Sequence, residues 1–419
     1  MKHHCWAVLA IMGALAKPTL AQTPAPPPAP PPATGPPAGA GTGAAAGAQS
    51  EPTFEPEHVT GMKPVGATAA PAAPDEPMTL DRLVLTSANR IDLNFFGDVS
   101  ATQRKDQKAV FAVGPLGFQV TAHLAEGLIG RTEFAMSYQH SETVLDVERA
   151  YLEYRTARWT LAAGRTHADL GYWNNAFHHG RWLQLTINRP HVLRFEDEGG
   201  MLPVHAVGVS ASYGPPRGDS GLEVSVGVSN GHGRTIERIQ AEDDNNWAKA
   251  ILVRIGTVAI GHPALRVGIN IAVDTIAPEA VTVRPLLPDK SIVELVTGAY
   301  VAFRGERLLV FSEIYNVLHH GGGSSWQTTD GFLIAGYRFN QFIPFGELEA
   351  RHGDGLTDPF YNPGPAIDSE SVAPANFVEG TVGLRYELSA WSALKLELAA
   401  GTFDGVSDRR VEINWSFGR

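Results

Sequence analysis

Cysteine is all but absent from this chain of 419 residues. Cys5 is the only one, so neither a disulfide framework nor a cysteine metal site is available. Charge is scarce too. Asp, Glu, Lys and Arg make up 18%, against roughly 25% in an average globular chain, and just eight residues are lysine. No basic run exceeds two residues and the net charge is −11, which excludes a nucleic-acid binder, since phosphate backbones call for a basic patch. Beyond the N-terminus no apolar run approaches the ~18 residues of a spanning helix, which excludes a polytopic helical membrane protein. What the chain has instead is glycine (44 residues), proline (30) and 43% apolar residues.

The proline is concentrated near the start. Residues 1–21 carry Lys2, an apolar stretch Cys5–Ala16 and the small residues of Thr19-Leu20-Ala21, the pattern of an export signal cleaved after Ala21. Losing Lys2 and Lys17 takes the mature charge to −13. Residues 22–77 are rich in Pro, Ala and Gly and hold too little apolar bulk to fold, so a disordered linker is expected, the sharper alternative being a rod that reaches a periplasmic or cell-wall partner. The folded part is then 78–419.

From Ile91 onward the hydrophobic period is two. Val411, Ile413, Trp415 and Phe417 alternate with Arg410, Glu412, Asn414 and Ser416, which gives a strand one oily and one wet face. The same alternation places Arg131, Glu133, Arg149, Glu153, Arg155, Arg254, Arg266, Glu347, Glu349, Arg385, Lys395 and Glu397 on wet faces. Sixteen segments are expected, within a range of 14–18: 90–99, 116–123, 131–139, 146–155, 158–164, 204–213, 221–229, 248–258, 264–273, 291–303, 307–317, 330–339, 342–351, 376–387, 393–402 and 409–417. Most have roughly the nine to eleven residues that a tilted membrane-crossing strand requires.

Connections alternate as well. Thr156-Ala157, Arg304-Gly305-Glu306 and Asn340-Gln341 are short, while Gly164–Pro203, Asn230–Trp247, Asp274–Lys290, Leu318–Thr329 and His352–Ala375 are long. Short turns on one side and long loops on the other belong to an outer-membrane barrel, and aromatics near strand ends, among them Tyr138, Tyr154, Trp159, Tyr315, Trp391 and Trp415, fit a lipid-boundary girdle. A soluble sandwich also alternates, but charges of both signs at mid-strand weigh against it. The expectation is an all-β protein, a transmembrane antiparallel barrel of about 16 strands. A barrel of that width cannot fill its interior with wall side chains, so the wet face lines water. Passive diffusion of small hydrophilic solutes across the outer membrane of a Gram-negative cell follows, without cofactor or metal.

The run Glu148-Arg149-Ala150-Tyr151-Leu152-Glu153-Tyr154, with Leu161-Ala162-Ala163-Gly164-Arg165 and Gly171-Tyr172-Trp173, is similar to the phosphate-selective porin O and P superfamily, and the terminal strand resembles that of outer-membrane porins. Here Gly418-Arg419 follow the closing aromatic Phe417. The resemblance implies sixteen strands, a homotrimer and a basic ladder for anions. With eight lysines and a lumen face of mixed sign, the barrel class carries over and phosphate selectivity does not.

The longest connection, 164–203, is the expected constriction, because the equivalent porin loop folds inward. It holds Arg165, His167, Asp169, His178, His179, Arg181, Arg189, His191 and Arg194, then Glu196-Asp197-Glu198. Such charges either select ions in a narrow lumen or pair with the wall to fix the loop, and imidazoles facing water would add positive charge in acid. Adjacent His178 and His179 diverge too far to chelate a metal. Three further signals are weak. Gly227-Val228-Ser229-Asn230-Gly231 matches a nucleophile-elbow pattern, which would make Ser229 the centre of a lipid-acting hydrolase, but it lies at a strand end. His319-His320-Gly321-Gly322-Gly323 is expected to be a flexible external loop, and Asp354, Asp358 and Asp368 to be solvated loop acids. A plugged structural or binding barrel is the remaining alternative.

Overall fold

The computed structural model describes residues 90–139, 142–177, 181–194, 200–216, 219–232, 247–278, 290–361 and 375–419. The expected signal 1–21, the linker 22–77 and the loop residues His178, His179, Glu196, Asp197, Glu198 and Asp368 lie outside them.

The strands are β1 (Ile91–Arg104), β2 (Val110–Val113), β3 (Leu116–Ala125), β4 (Leu128–Gln139), β5 (Glu142–Arg155), β6 (Trp159–His167), β7 (His205–Tyr213), β8 (Gly221–Ser229) and β9 (Ala250–Val258). They continue as β10 (Leu265–Ile276), β11 (Ile292–Arg304), β12 (Leu308–Gly321), β13 (Ser324–Tyr337), β14 (Phe342–Gly353), β15 (Phe377–Ser389), β16 (Ser392–Phe403) and β17 (Val406–Gly418). Strands β2 and β3 share the partner β1, over Val99–Thr102 and Ile91–Phe96 respectively. They are two parts of one stave interrupted at Gly114-Pro115, so the wall has sixteen staves. Pairing is antiparallel throughout, and nine residue pairs from Phe96↔Gly418 to Arg104↔Arg410 close β1 onto β17. This is the sixteen-stranded antiparallel barrel the alternation calls for. Closure leaves no open edge in hydrocarbon and removes the sandwich alternative.

The alternation sorts side chains across the wall. Leu394, Leu396, Leu398, Val411, Ile413 and Trp415 point outward and remain 41–49% exposed, while Lys395, Glu397, Arg410, Glu412, Asn414 and Ser416 between them are buried inside. Apolar side chains left exposed among the described residues need lipid on that side. Trp159 meets Tyr213 in a tilted contact and Phe342 stacks on Tyr386 near the short turns, where Tyr154, Trp391 and Trp415 are also exposed.

Three expectations need correction. Tyr315 is no girdle residue: it shares the inward face of β12 with Phe311 and Glu313, and it is buried at 1%. Leu318–Thr329 is no long connection, because β12 and β13 run on to a turn at Gly322-Gly323. Both glycines have positive φ, 60° and 85°, the backbone a two-residue hairpin demands. His319 therefore sits in a strand, fully buried, and Asp358 is buried as well, so neither belongs to a solvated loop.

Candidate functional site: the lumen and its third loop

The wall is not uniformly wet inside. On β9 to β14 the inward residues include Leu252, Ala272, Ile292, Val296, Tyr300, Phe311, Tyr315, Val317, Phe332, Ile334 and Ile343, all buried. The connection after β6, residues 168–204 and called the third loop below, folds inward and packs its own apolar residues on them: Leu170, Tyr172, Trp173, Phe177, Leu185, Val192, Leu193, Met201 and Leu202. Trp173, in the single helical turn α1 (Trp173–Ala176), meets Phe177, Phe311 and Phe332 at ring distances of 4.5, 5.6 and 5.6 Å. Those strands carry apolar residues on both faces because one face meets lipid and the other meets the loop.

Where the wall is charged, it grips the loop by its backbone. Glu313 accepts from the Tyr172 and Trp173 N–H groups at 2.8 and 2.6 Å. Gly171 just before them has φ 70°, and a Cβ there would lie 2.0–2.2 Å from the Tyr315 hydroxyl and the Glu313 carboxylate, so only glycine admits this approach. Glu397 and Glu349 each accept at 2.5 Å, from the Ile187 and His191 N–H groups. Lys395 donates to the carbonyls of Arg181 and, at 2.6 Å, Thr186, and Arg385 donates to Gln184 at 2.6 Å. Buried charges of this kind are stabilised by hydrogen bonds to otherwise orphaned loop groups.

The loop's own charges go to definite partners. Arg181 donates to Asp98 at 2.9 Å, Arg189 to Asn174 at 2.9 Å and Arg165 to the Glu148 carbonyl at 3.1 Å. Asp169 accepts from Arg254 at 2.7 Å. His167 is buried opposite His205, with ring centres 5.7 Å apart. His191 is buried against β14 and β15; its Nε2 accepts from Arg194 at 3.1 Å. Burial, then the nearby Arg194 and Arg351 cations, pull its pKa from 6.5 down to about 3 against the pull of Glu379, so this imidazole is neutral at pH 7 and does not line water.

Among wall residues, Glu133 pairs with Arg149, Glu153 with Arg155, and Arg266 with Glu223. Arg131 lies 5.9 Å from the Tyr151 ring centre. Glu347, Glu349, Arg385, Lys395 and Glu397 are buried on the lumen side beneath the loop. Glu313, Asp98, Arg351, Glu379 and Arg410 belong to the same clamp. They were not singled out from the sequence, although Glu379 and Arg410 stand on alternating wet faces. His191, Glu349 and Glu379 bring ligand atoms within 4.8 Å of one another. Arg410, however, donates to both Glu379 oxygens at 2.9 Å, Arg194 occupies the imidazole and Glu349 accepts from the His191 N–H, so all three are engaged within the protein rather than left for a cation.

With the loop docked on β9 to β17, free space remains beside β5 to β10. Two adjoining cavities of about 80 and 40 Å³ share Thr160 and Ser212. Thr166, His167, Asp169, Ala206, Gly208, Ser210 and Ser229 line one end. Arg155, Arg158, Arg254, Arg266, Glu223 and Tyr213 line the other, beside the short turn at Thr156-Ala157. Small hydroxyl-bearing side chains therefore lead to an arginine-lined mouth. Ser229 is an ordinary residue at the end of β8, paired with Gly208, and the irregular backbone of Asn230–His232 follows it, so the strained turn of a nucleophile elbow is not there.

No family pattern and no curated sequence matches the chain. Solved structures do. OmpT, an outer membrane protein of Vibrio cholerae, superposes with a TM-score of 0.56 at 11% identity, covering 80% of this chain and 99% of that one. An anion-selective porin from Comamonas acidovorans gives 0.56 at 11% identity over 79% and 100%. The outer membrane channel DcaP of Acinetobacter baumannii gives 0.52 at 13% over 80% and 99%. At these identities the likeness is one of architecture: the chain has the fold of outer-membrane porins.

Proposed function

We propose that the chain is an outer-membrane channel of the porin type, passing small hydrophilic solutes through the crescent between the third loop and the wall of β5 to β10. One observation carries this: an apolar exterior that requires lipid encloses two adjoining cavities, lined by hydroxyls and arginines, beside the docked loop. A cavity of 80 Å³ holds several waters, since one water occupies roughly 10–15 Å³ on the same measure, so ions and small molecules are the solutes that fit. Four arginines (Arg155, Arg158, Arg254 and Arg266) against three acids (Glu153, Asp169 and Glu223) leave one net positive charge at the mouth, which favours anions. Catalysis has no part in this function. Residues 1–21 would direct export and 22–77 would reach a periplasmic or cell-wall partner, with a homotrimer as the assembly. Planar-bilayer recording of the purified chain is the test: stepwise currents with a reversal potential favouring anions are expected, and a silent bilayer would refute the channel. Mature protein beginning at Gln22 would support the export signal.

A plugged barrel is the second reading, and it too has an observation behind it. Around β12 to β17 the lumen-facing Glu313, Asn414, Ser416, Lys395 and Glu397 are 0–2% exposed, so the docked loop closes that part of the lumen. The absence of any open step in the same recording would favour it.

A further inference from the structure

Four buried titratable side chains at the loop-bearing end take no part in the crescent. His319 on β12 places Nδ1 2.7 Å from Asp358 and Nε2 2.9 Å from Glu294 on β11. The other oxygen of Glu294 lies 3.0 Å from Nε2 of His232. The His232 N–H donates to Asp274 of β10 at 2.7 Å. The His319 ring is stacked on Tyr361 at 5.2 Å and meets Phe360 edge-on at 5.4 Å. Tyr361 in turn donates to the Met201 carbonyl at 2.9 Å, on the returning limb of the third loop.

We propose that Asp358, His319, Glu294 and His232 form a proton-dependent clasp that locks the bases of the connections after β8 and after β14 (the fourth and seventh loops) to the barrel rim. An ionised carboxylate can only accept hydrogen bonds. Both ring nitrogens of His319 face one, so the ring that fits this site carries both protons and a positive charge. Removing one proton turns a lone pair toward a carboxylate in a water-poor site, which trades an attraction for a repulsion and frees either Asp358 or Glu294. The groups facing His319 are Asp358 from the seventh loop, Glu294 from β11, His232 behind it from the fourth loop, Asp274 from β10 and the Tyr361 ring. No Lys or Arg among the described residues donates to any of the three acids. Loss of the second His319 proton requires base, so release belongs to the alkaline side. Release of Asp358 would loosen Phe360 and Tyr361 and, through Met201, the third loop.

The clasp stands on this geometry. Its effect on conduction rests on the channel reading above. The test uses the full mature chain in detergent, with chymotrypsin directed at Phe360 and Tyr361 and its activity normalised on a small substrate. Cleavage should rise at least tenfold between about pH 7 and about pH 9.5 as the protected segment opens. The conservative variant Glu294→Gln, which removes one of the two carboxylates, should release at least about one pH unit lower. In wild type at about pH 8, nitrogen NMR of labelled histidine should show one imidazole with both nitrogens protonated, which needs no variant to fold. Cleavage that ignores pH, a His319 with a bare nitrogen at about pH 7, or a Glu294→Gln midpoint equal to wild type would each overturn the clasp. Bilayer recording separates the two ideas. Currents with pH-independent cleavage remove the clasp and keep the channel, and pH-dependent cleavage without currents does the reverse.

Discussion

Acid should loosen the third loop at His191. Docked, this imidazole sits between β14 and β15 with a pKa near 3; its ordinary value is 6.5. Undocked and solvated, it takes up a proton at the ordinary value. The docked state therefore keeps its full advantage above pH 6.5 and loses it progressively as pH falls toward 3. Each unit in that window amounts to about 1.4 kcal/mol. At about pH 4.5 the loss is about 2.7 kcal/mol, a roughly hundredfold shift toward the undocked limb, and at about pH 3 it levels off near 5 kcal/mol. The readout is hydrogen exchange of the backbone amides of 191–194, corrected for intrinsic rate, in the detergent-solubilised barrel. Protection should fall about tenfold per pH unit between 6.5 and 3, while amides of β16 and β17 keep theirs. His191→Gln, which cannot titrate, should flatten the profile. Protection that does not change with pH in wild type, or an equal fall in His191→Gln, would refute the assignment of a buried neutral imidazole to the clamp.

The other expectations follow from the same clamp and crescent. Lys395→Met leaves the carbonyls of Arg181 and Thr186 without their buried donor; at about 1.5–3 kcal/mol for each charge-assisted bond, it should lower the thermal midpoint and raise current noise, and an unchanged melt would count against the clamp. Gly171→Ala meets Tyr315 and Glu313 within 2.2 Å at a positive φ; it should displace α1 and enlarge single-channel conductance, and a wild-type value would show that the loop end does not bound the passage. Arg158→Glu together with Arg266→Glu reverses two charges at the mouth and should move the reversal potential in a salt gradient toward cations; an unmoved potential would remove these arginines from the ion path.

How much of this was legible in the sequence depended on what each strand faces. In β16 and β17 one side meets lipid and the other meets charges, so Leu394–Leu398 and Arg410–Phe417 alternate cleanly and their registers are plain. In β11 to β13 both sides are apolar. Val296, Tyr300, Phe311 and Phe332 look inward while Val293, Val301, Leu308 and Leu333 look outward, and the period fades. Glu313 was hidden and Tyr315 assigned to the girdle for that reason, although two-sided apolar strands inside an otherwise alternating barrel are themselves the sign that something docks within. The loop's charged list was readable; its grip was not, because Glu349, Lys395 and Glu397 bind main-chain groups that every sequence has. His319 was obscured by the glycines beside it, which serve a hairpin and not a flexible loop.

These two kinds of attachment limit how the lumen can open. A hinge that swung the whole loop out would expose Trp173, Phe177, Val192 and Leu193 together with the wall residues they cover, and each buried side chain of this size is worth roughly 1.5–3 kcal/mol. The polar end is different. At 191–194 the backbone is held by hydrogen bonds to Glu349 and Arg351, which a proton on His191 can disturb while Trp173 and Phe177 stay covered, wetting only Val192 and Leu193 of the apolar cluster. The loop should therefore respond in parts, with 191–194 moving while α1 stays seated on Phe311 and Phe332. Substituting Trp173 by Ala would test that division. It removes the apolar anchor while leaving the pKa of His191 in place, so the pH at which the 191–194 amides lose protection should stay where it is even as the thermal midpoint falls by the equivalent of about 3–5 kcal/mol. If the pH midpoint moved with the melt, the loop would be a single cooperative body and the partial opening argued from its two ends would be wrong.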